Sequence, residues 1–364
     1  MTSVLDLVRP DLRAFAGYAS ARREKTSGHI WLNANESPWP SSADKGQGLN
    51  RYPEPQPAAL RARMADLYQV PPERLLVTRG SDEGIDLLVR AFCRAGLDGV
   101  LIAPPCFGMY AVSARVQNAP LVELPLDDHG GRFSLDLTAV EDVLAHGDVR
   151  VVFLCSPSNP TGQALSLKEI RRLVKAASGK AVVVVDEAYV EFSSIGSARP
   201  LLDEFPHLVL LRTLSKAHAL AGARIGAVLA DPDVIGVLRS LSAPYPVPAP
   251  SASLALEALT EAAQREAKGR IATAVKERDA LVKALRSIDG VVHVYPSEGN
   301  FLLVRFADAN AAFSRLLAAG VVVRDVRTLP QLGDALRISV GTPEENQAII
   351  TALAERDLPE GRTS

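Results

Sequence analysis

The sequence predicts an α/β fold in which a large domain is followed by a smaller α+β domain. The 364 residues exceed what one hydrophobic core usually serves, so two domains are expected. Short runs rich in Val, Leu and Ile alternate with helical segments, and several runs are continuously apolar, as in strands buried on both faces of a sheet. A Pro-rich stretch from Pro244 to Pro250 then interrupts this pattern and indicates the exit from the large domain.

Seven strands and the helices between them are predicted for the large domain. The strand segments are residues 74–78, 99–103, 121–124, 150–155, 181–185, 207–211 and 225–229. The helical segments have apolar residues three and four positions apart, and they are residues 58–69, 82–94, 137–145 and 167–177.

The smaller domain is predicted after the Pro-rich stretch. A long, charged helical region covers residues 251–287, and four strand candidates follow at 291–295, 301–306, 321–323 and 336–340. We therefore expect an N-terminal arm at 1–30, a large domain at 31–245 and a small domain at 246–364.

Composition favours a cytoplasmic protein that acts on small molecules. The formal net charge is −2 and the basic residues are dispersed, so no binding surface for nucleic acid is expected. The three cysteines, an odd number without a close pair, favour neither disulfides nor a zinc site. No apolar run has the length of a signal peptide core or a membrane span.

Four polar segments directly follow strand candidates, where α/β proteins place ligand sites. In the first, residues 79–84, the backbone N–H groups of Gly80, Ser81 and Asp82 at a helix start predict a phosphate site. The alternative is a structural helix cap with Ser81 as the N-cap residue, and this segment alone favours that alternative.

The second and third segments supply an amide and a carboxylate. Residues 156–162 place Asn159 between prolines, which either aims its amide at a ligand oxygen or forms an ordinary turn. Asp186 ends a nearly uncharged run, and a buried carboxylate needs a cation. The pyridinium nitrogen of pyridoxal phosphate (PLP) is such a cation; a structural ion pair or a metal ligand is the alternative.

The fourth segment, residues 213–218, contains Lys216. Most lysines are solvated surface residues. In a dry pocket near cations, however, the pKa of Lys216 falls and its amine becomes nucleophilic enough to form an imine. Ser215 and Arg224 then provide a hydroxyl and a guanidinium for a phosphate.

With further motifs, these segments resemble the fold-type-I PLP-dependent aminotransferases, and among them the histidinol-phosphate aminotransferase family. The resemblance runs from Leu12 to about Arg356 and includes YASARR at 18–23, LNANE at 32–36, RYPE at 51–54, SDEGI at 81–85 and LRISVG at 336–341. It implies a mostly parallel seven-stranded sheet and a homodimer. The order of so many motifs makes the probability of chance similarity very small.

The resemblance also implies roles for individual residues. Lys216 is the Schiff-base lysine, Asp186 faces the pyridine nitrogen, and Asn159 and Tyr189 contact the ring hydroxyl. The phosphate is held by the backbone of Gly80, Ser81 and Asp82, by Ser215 and Arg224, and by Tyr52 of the other subunit.

Two positions depart from the family pattern. Relatives commonly stack an aromatic hydroxyl on the PLP ring, whereas this chain has Phe107, which can stack but cannot donate a hydrogen bond. His218 occupies a position at which related sequences commonly have Phe, and we assign no role to it. Cys106 is interpreted as a packing residue, since no base is evident beside it.

The implied reaction exchanges an amino group between L-histidinol phosphate and 2-oxoglutarate, giving imidazole acetol phosphate and glutamate. Arg337 and Arg324 are candidate clamps for the anionic ends of the substrates, with Tyr18 and Asn33 closing the site. Aromatic amino-acid transamination and decarboxylation of an amino-acid phosphate are alternatives within PLP chemistry. A non-catalytic PLP-binding regulator is disfavoured because no basic patch is present.

Overall fold

A seven-stranded sheet forms the centre of the large domain. The computed structural model describes residues 3–18 and 30–354. Its first nine strands are β1 (Leu75–Thr78), β2 (Gly99–Ile102), β3 (Leu121–Glu123), β4 (Asp127–Asp128), β5 (Phe133–Ser134), β6 (Val149–Cys155), β7 (Val182–Asp186), β8 (Leu208–Thr213) and β9 (Gly226–Leu229). Strands β4 and β5 form a separate hairpin, and the other seven form a sheet in the order β1-β9-β8-β7-β6-β2-β3.

The direction of the strands brings several strand ends to one edge of this sheet. All neighbours are parallel except β9, which is antiparallel to both β8 and β1. Cys155 at the end of β6 lies beside Asp186 at the end of β7. Gly226, where β9 begins, lies beside Thr213 and Thr78, where β8 and β1 end. The residues that follow these strands therefore meet at the same edge.

Helices cover both faces of the sheet. They are α1 (Ala58–Tyr68), α2 (Ser81–Phe92), α3 (Met109–Val116), α4 (Leu137–His146), α5 (Leu167–Ala176), α6 (Pro232–Leu241) and α7 (Ala249–Ala258). Alternate residues of β7 enter two separate cores: Val183 and Val185 pack on one face, Val182 and Val184 on the other. This burial on both faces explains the continuous apolar runs of the sequence and confirms the predicted fold class.

The remaining elements form the smaller α+β unit. They are α8 (Glu261–Leu285), β10 (Val291–Val294), β11 (Phe301–Phe306), α9 (Ala309–Ala318), β12 (Arg324–Asp325), β13 (Ala335–Ser339) and α10 (Pro343–Ala354). The four strands pair antiparallel in the order β10-β11-β13-β12. No helix in the described part of the chain has the length and apolar character needed to cross a membrane.

Two predicted elements differ from the structure. The helical region at 251–287 is interrupted, because the Thr260 side chain accepts the N–H of Ala263 and starts α8 anew. The predicted strand at 321–323 is wrong. Val321 still donates its N–H to Leu316 in the last turn of α9, Val322 is 82% exposed, and pairing begins only at Arg324.

The predicted domain limits stay predictions, although two packing contacts bear on them. Ala252, Ala255 and Leu259 of the α7 segment belong to the core of the large domain, beyond the predicted boundary at 245. In the N-terminal arm, Val4 and Leu7 pack against the other large-domain core. Residues 19–23 of the YASARR motif and the end of the resemblance at Arg356 lie outside the described residues.

Candidate active site

A cavity of about 140 Å³ lies at the sheet edge where β6, β7 and β8 end. Its walls include nine of the residues predicted for the site, which come from five separate stretches of the chain. These residues are Ser81, Asp82, Phe107, Asn159, Asp186, Tyr189, Ser215, Lys216 and Arg224. These residues meet because parallel strands end at the same edge of the sheet, so the loops that follow them lie on the same side.

One end of the cavity is a cationic cradle at the start of α2. Arg224 donates to the Asp82 carboxylate at 3.0 Å and to the Ser215 hydroxyl at 3.5 Å. Gly80, rather than Ser81, occupies the N-cap position, and no side chain caps the first turn of α2. The N–H groups of that turn are therefore available to an anion, and the alternative of a Ser81 cap is wrong.

The opposite end of the cavity holds Asp186, which is only 2% exposed. Its Oδ2 accepts a hydrogen bond from the Tyr110 hydroxyl at 2.8 Å, and its Oδ1 accepts one from the Ala188 N–H at 3.1 Å. Burial raises the pKa of Asp186 to about 6, and these two hydrogen bonds oppose the rise. A buried carboxylate with this environment favours a cationic partner.

Glu187, the next acid in the chain, has a different role. It is 1% exposed and points into an ion-pair network, where it accepts from Arg212 at 3.2 Å and from the Ala198 N–H at 2.6 Å. Arg212 also pairs with Glu191 at 2.7 Å. His218 lies beside this network and lines a separate pocket with Arg212 and Glu191, away from the candidate active site.

Between the two ends, Asn159 and Tyr189 lie side by side. The Asn159 amide donates to the Tyr189 hydroxyl at 3.3 Å, and its oxygen accepts from Arg337. Arg337 lies over the Phe301 ring, 5.4 Å from the centroid, and its buried Nε has no hydrogen-bond partner in residues 3–18 and 30–354. An amide and a phenol thus lie on one wall of the cavity, and the Arg337 guanidinium contacts that amide.

Lys216 lies between the two ends, with its amine 5.6 Å from the centre of the Tyr189 ring. The residue as a whole is exposed, because the cavity is open, but surrounding protein atoms still remove water from the amine. This desolvation lowers the pKa of Lys216, as do the positive charges of Arg337 and Arg224, against the opposing effect of Asp82 and Asp186. A lowered pKa makes the amine a better nucleophile at neutral pH.

Six predicted residues are not among those that line this cavity. Gly80 lies directly before Ser81 as the N-cap of α2, and Arg337 contacts the lining residue Asn159. Tyr52 is 50% exposed and stacks on Tyr245, with ring centres 4.5 Å apart. Tyr18 and Asn33 are exposed parts of the N-terminal segment. Arg324 is exposed on β12, directly opposite Arg337 in the sheet register.

Sequence reasoning missed Tyr110, and it did not recognise why position 80 is glycine. Tyr110 is fully buried on α3, and its contact with Asp186 joins residues 76 positions apart. Gly80 has φ +74°, and a Cβ there would lie 2.7 Å from Nη2 of Arg224. The Gly-Ser pair at a predicted strand-to-helix turn was the signal for Gly80, whereas Tyr110 had no local signal.

A second cavity, of about 100 Å³, lies behind the candidate active site. Cys155 lines both cavities, and the second is bounded by the β4–β5 hairpin and contains none of the predicted site residues. Cys106 lines this second cavity, and burial raises the pKa of its thiol to about 12. That high pKa agrees with the interpretation of Cys106 as a packing residue.

Comparison with known proteins identifies the family. A family model for aminotransferases of class I and II matches residues 18–353, and the chain belongs to that class of PLP-dependent enzymes. The histidinol-phosphate aminotransferases of Stenotrophomonas maltophilia and Xylella fastidiosa are 58% and 55% identical to it over 353 residues, 97% of each chain. Within the class, this chain belongs to the histidinol-phosphate aminotransferases.

Solved structures share the fold. The histidinol-phosphate aminotransferase of Clostridium acetobutylicum aligns with a TM-score of 0.77 at 20% identity, covering 85% of this chain and 91% of that one. The enzyme from Sinorhizobium meliloti, in complex with pyridoxal-5'-phosphate, aligns with a TM-score of 0.75 at 23% identity, covering 84% and 82%. Family and fold together confirm the predicted aminotransferase activity and PLP cofactor.

Proposed function

We propose that this enzyme transfers an amino group between L-histidinol phosphate and 2-oxoglutarate in histidine biosynthesis, giving imidazole acetol phosphate and glutamate. The observation that carries the proposal is the 58% identity to a histidinol-phosphate aminotransferase over 97% of both chains. Similarity of this extent does not favour the alternatives, an aromatic amino-acid aminotransferase or an amino-acid-phosphate decarboxylase of the same fold.

The cavity has the donors and acceptors that PLP requires. The cradle of Arg224, Ser215 and the first N–H groups of α2 suits a phosphate, and the Asp186 carboxylate suits a protonated ring nitrogen. Asn159 and Tyr189 suit the ring hydroxyl, and Phe107 supplies an apolar face for the ring. When bound, PLP supplies the electron sink that stabilises negative charge on the substrate carbon.

Lys216 performs two tasks in this proposal. Its amine would hold the cofactor covalently, and when free it would carry the proton that leaves the substrate carbon. Both tasks need an unprotonated amine near neutral pH. The lowered pKa of Lys216 supports this, because less free energy is needed to remove its proton.

Arg337 binds the anionic end of each substrate. A guanidinium can hold a carboxylate or a phosphate through two parallel hydrogen bonds, which suits substrates that end in different anions. Its buried Nε has no hydrogen-bond partner among the described residues, and a substrate oxygen can satisfy it. Arg324, opposite in the β12–β13 register, adds positive charge, and Tyr18 and Asn33 close over the substrate.

The enzyme functions as a homodimer in the cytoplasm. Exposed apolar side chains are concentrated in the segment that carries Tyr52, and they include Ile30, Leu32, Trp39 and Leu49. Large exposed apolar side chains close together in one segment suit a surface that is covered by a second subunit. In the dimer, Tyr52 of each subunit reaches the cofactor phosphate of the other. The free thiols of Cys93, Cys106 and Cys155 suit a reducing compartment.

An assay of the purified protein with histidinol phosphate and 2-oxoglutarate tests the activity. We expect glutamate formation by the wild type and by Lys168→Ala, an exposed lysine on α5, and none by Lys216→Ala. Equal activity of wild type and Lys216→Ala refutes the mechanism. Rapid turnover of phenylalanine without turnover of histidinol phosphate, or release of carbon dioxide, refutes the substrate assignment.

Hybrid dimers test the shared site. Lys216→Ala and Tyr52→Ala subunits, dissociated and reassociated in equal amounts, form hybrids in which one site carries both substitutions and the other carries neither. We expect activity to rise to roughly a quarter of the wild type, since about half of the dimers are hybrids with one intact site. Mixing Lys216→Ala with Asp186→Asn is the control, because both substitutions affect the same chain's site. Recovery no higher than in this control contradicts the role of Tyr52.

A further inference from the structure

We propose that Tyr110 is a positioning residue that keeps the proton on the ring nitrogen of the bound cofactor by fixing the Asp186 carboxylate and limiting its basicity. This inference rests on the proposed function, in which Asp186 faces that nitrogen. It adds a residue on α3 to the groups that determine how well the cofactor accepts electrons.

The Tyr110 hydroxyl is held in place by the packing of its ring, and it lies within reach of the Asp186 carboxylate and the Cys155 thiol. The residue is fully buried, and its ring stacks on Phe153 with centres 4.7 Å apart and planes at 4°. Phe107 packs edge-on against it at 5.7 Å. The ring is held by aromatic neighbours in two directions, so the hydroxyl is directed at Asp186 Oδ2, 2.8 Å away.

Tyr110 is the donor in this hydrogen bond. Burial raises the pKa of Tyr110 well above its usual value, and the negative charge of Asp186 raises it further. The phenol therefore keeps its proton, and an ionised carboxylate can only accept. With the Ala188 N–H on Oδ1, each carboxylate oxygen has one protein donor, which sets the plane in which Asp186 meets a ligand.

Other titratable groups around Asp186 do not replace this hydrogen bond. Asp82 on α2 and Cys155 on β6 face it and carry negative charge when ionised, while Lys216 after β8 carries positive charge when protonated. These groups act through space. Tyr110 and Ala188 are the donors that touch the carboxylate in the described part of the chain.

Removal of the Tyr110 hydroxyl changes how Asp186 and the ring nitrogen of the cofactor share one proton. A carboxylate that loses a donor becomes more basic, so Asp186 takes a larger share of the proton that it shares with the ring nitrogen. The ring then carries less positive charge and accepts electrons less well. Less positive charge on the ring also lets the nitrogen that links Lys216 to the cofactor hold its own proton to higher pH.

This last effect can be measured without turnover, from the pH dependence of the visible absorbance of the lysine-bound cofactor. We expect the midpoint of Tyr110→Phe to lie about one pH unit above that of the wild type, the order expected for losing one hydrogen bond to a charged group. Tyr68→Phe is the matched control. Tyr68 is also buried, but its hydroxyl has no hydrogen-bond partner in the described part of the chain and lies outside the site, so the midpoint of Tyr68→Phe should equal that of the wild type.

A second substitution strengthens the hydrogen-bond donor at position 110 and keeps the shape of the side chain. Incorporation of 3-fluorotyrosine at position 110 makes the hydroxyl a stronger donor, and the midpoint should fall. An unchanged midpoint in both variants at position 110, or an equal shift in Tyr68→Phe, overturns the inference. If the wild type has no absorbance band that Lys216→Ala abolishes, the proposed function itself fails, whereas a band indifferent to position 110 refutes only the role of Tyr110.

Discussion

Replacing Gly80 with alanine tests the cradle at the start of α2. Gly80 has φ +74° and ψ 173°, a conformation that is almost confined to glycine. A Cβ at this position would also lie 2.7 Å from Nη2 and 3.3 Å from Cζ of Arg224, so the guanidinium must move. The substitution therefore strains the backbone and displaces the arginine proposed to hold the phosphate.

The expected magnitude is the sum of these two effects. The backbone strain costs about 1–3 kcal/mol. The Arg224–Asp82 ion pair is nearly half exposed on both sides, so its loss adds at most about 1 kcal/mol. We expect Gly80→Ala to lower the free energy of unfolding by about 2–3 kcal/mol. We expect it to raise the Kd for PLP at least tenfold, since a charge-assisted hydrogen bond is worth about 1.5–3 kcal/mol.

Urea unfolding of the cofactor-free protein and titration with PLP measure the two quantities. Gly236→Ala is the matched control: Gly236 lies inside α6, and a Cβ there meets no atom within 4 Å. Alanine should stabilise that helix by about 0.5–1 kcal/mol and leave the Kd unchanged. If Gly80→Ala binds PLP as tightly as Gly236→Ala does, the cradle does not hold the phosphate.

Three other substitutions have distinct expected outcomes. Arg337→Lys should lower kcat/KM for both substrates about 10- to 100-fold without changing the cofactor absorbance, because an ammonium cannot form the bidentate contact; steady-state kinetics for each substrate measure this. Glu187→Gln should destabilise the protein by about 2 kcal/mol in urea unfolding, less than a fully broken buried pair because Arg212 keeps Glu191, and PLP binding should not change. In the cofactor-free protein, burial raises the pKa of Asp186 to about 6. The protonated carboxyl therefore contributes stability that is present below pH 4 and is lost as pH rises through 6. Asp186→Asn should therefore be up to about 3 kcal/mol more stable than the wild type at pH 7, with no gain near pH 4, and an equal gain at both pH values would contradict the sign.

The strands of the large domain were predictable because strands that are buried on both faces have continuous apolar sequences. Val182–Asp186 is a continuous apolar run that ends in an acid, and it is the central part of the sheet with that acid at the ligand edge. The same logic located Asn159 and Lys216, each in a segment directly after a strand. Local pattern was sufficient to place a residue at the cavity wherever that residue lies immediately beyond the end of a strand.

Other features depend on contacts that the local pattern does not contain. The break before α8 rests on a single cap by Thr260, while helical spacing continues on both sides of it. Residues 321–323 have high strand propensity, but the preceding helix still holds Val321. Tyr110 acquires its importance from a residue 76 positions away, and the role proposed for Tyr52 depends on a second chain.

The antiparallel strand β9 constrains how the chain can vary. Because β8 ends and β9 begins at the same edge, the connection between them starts and ends at the candidate active site. The Leu214 N–H donates to the Ile225 oxygen and the Leu220 N–H to the Leu214 oxygen, so this loop is closed at its base. Lys216 and Arg224 therefore lie in one closed loop, and an insertion or deletion between them would change the distance between two groups proposed to hold the cofactor. Length variation that surface loops elsewhere tolerate should be excluded from this segment.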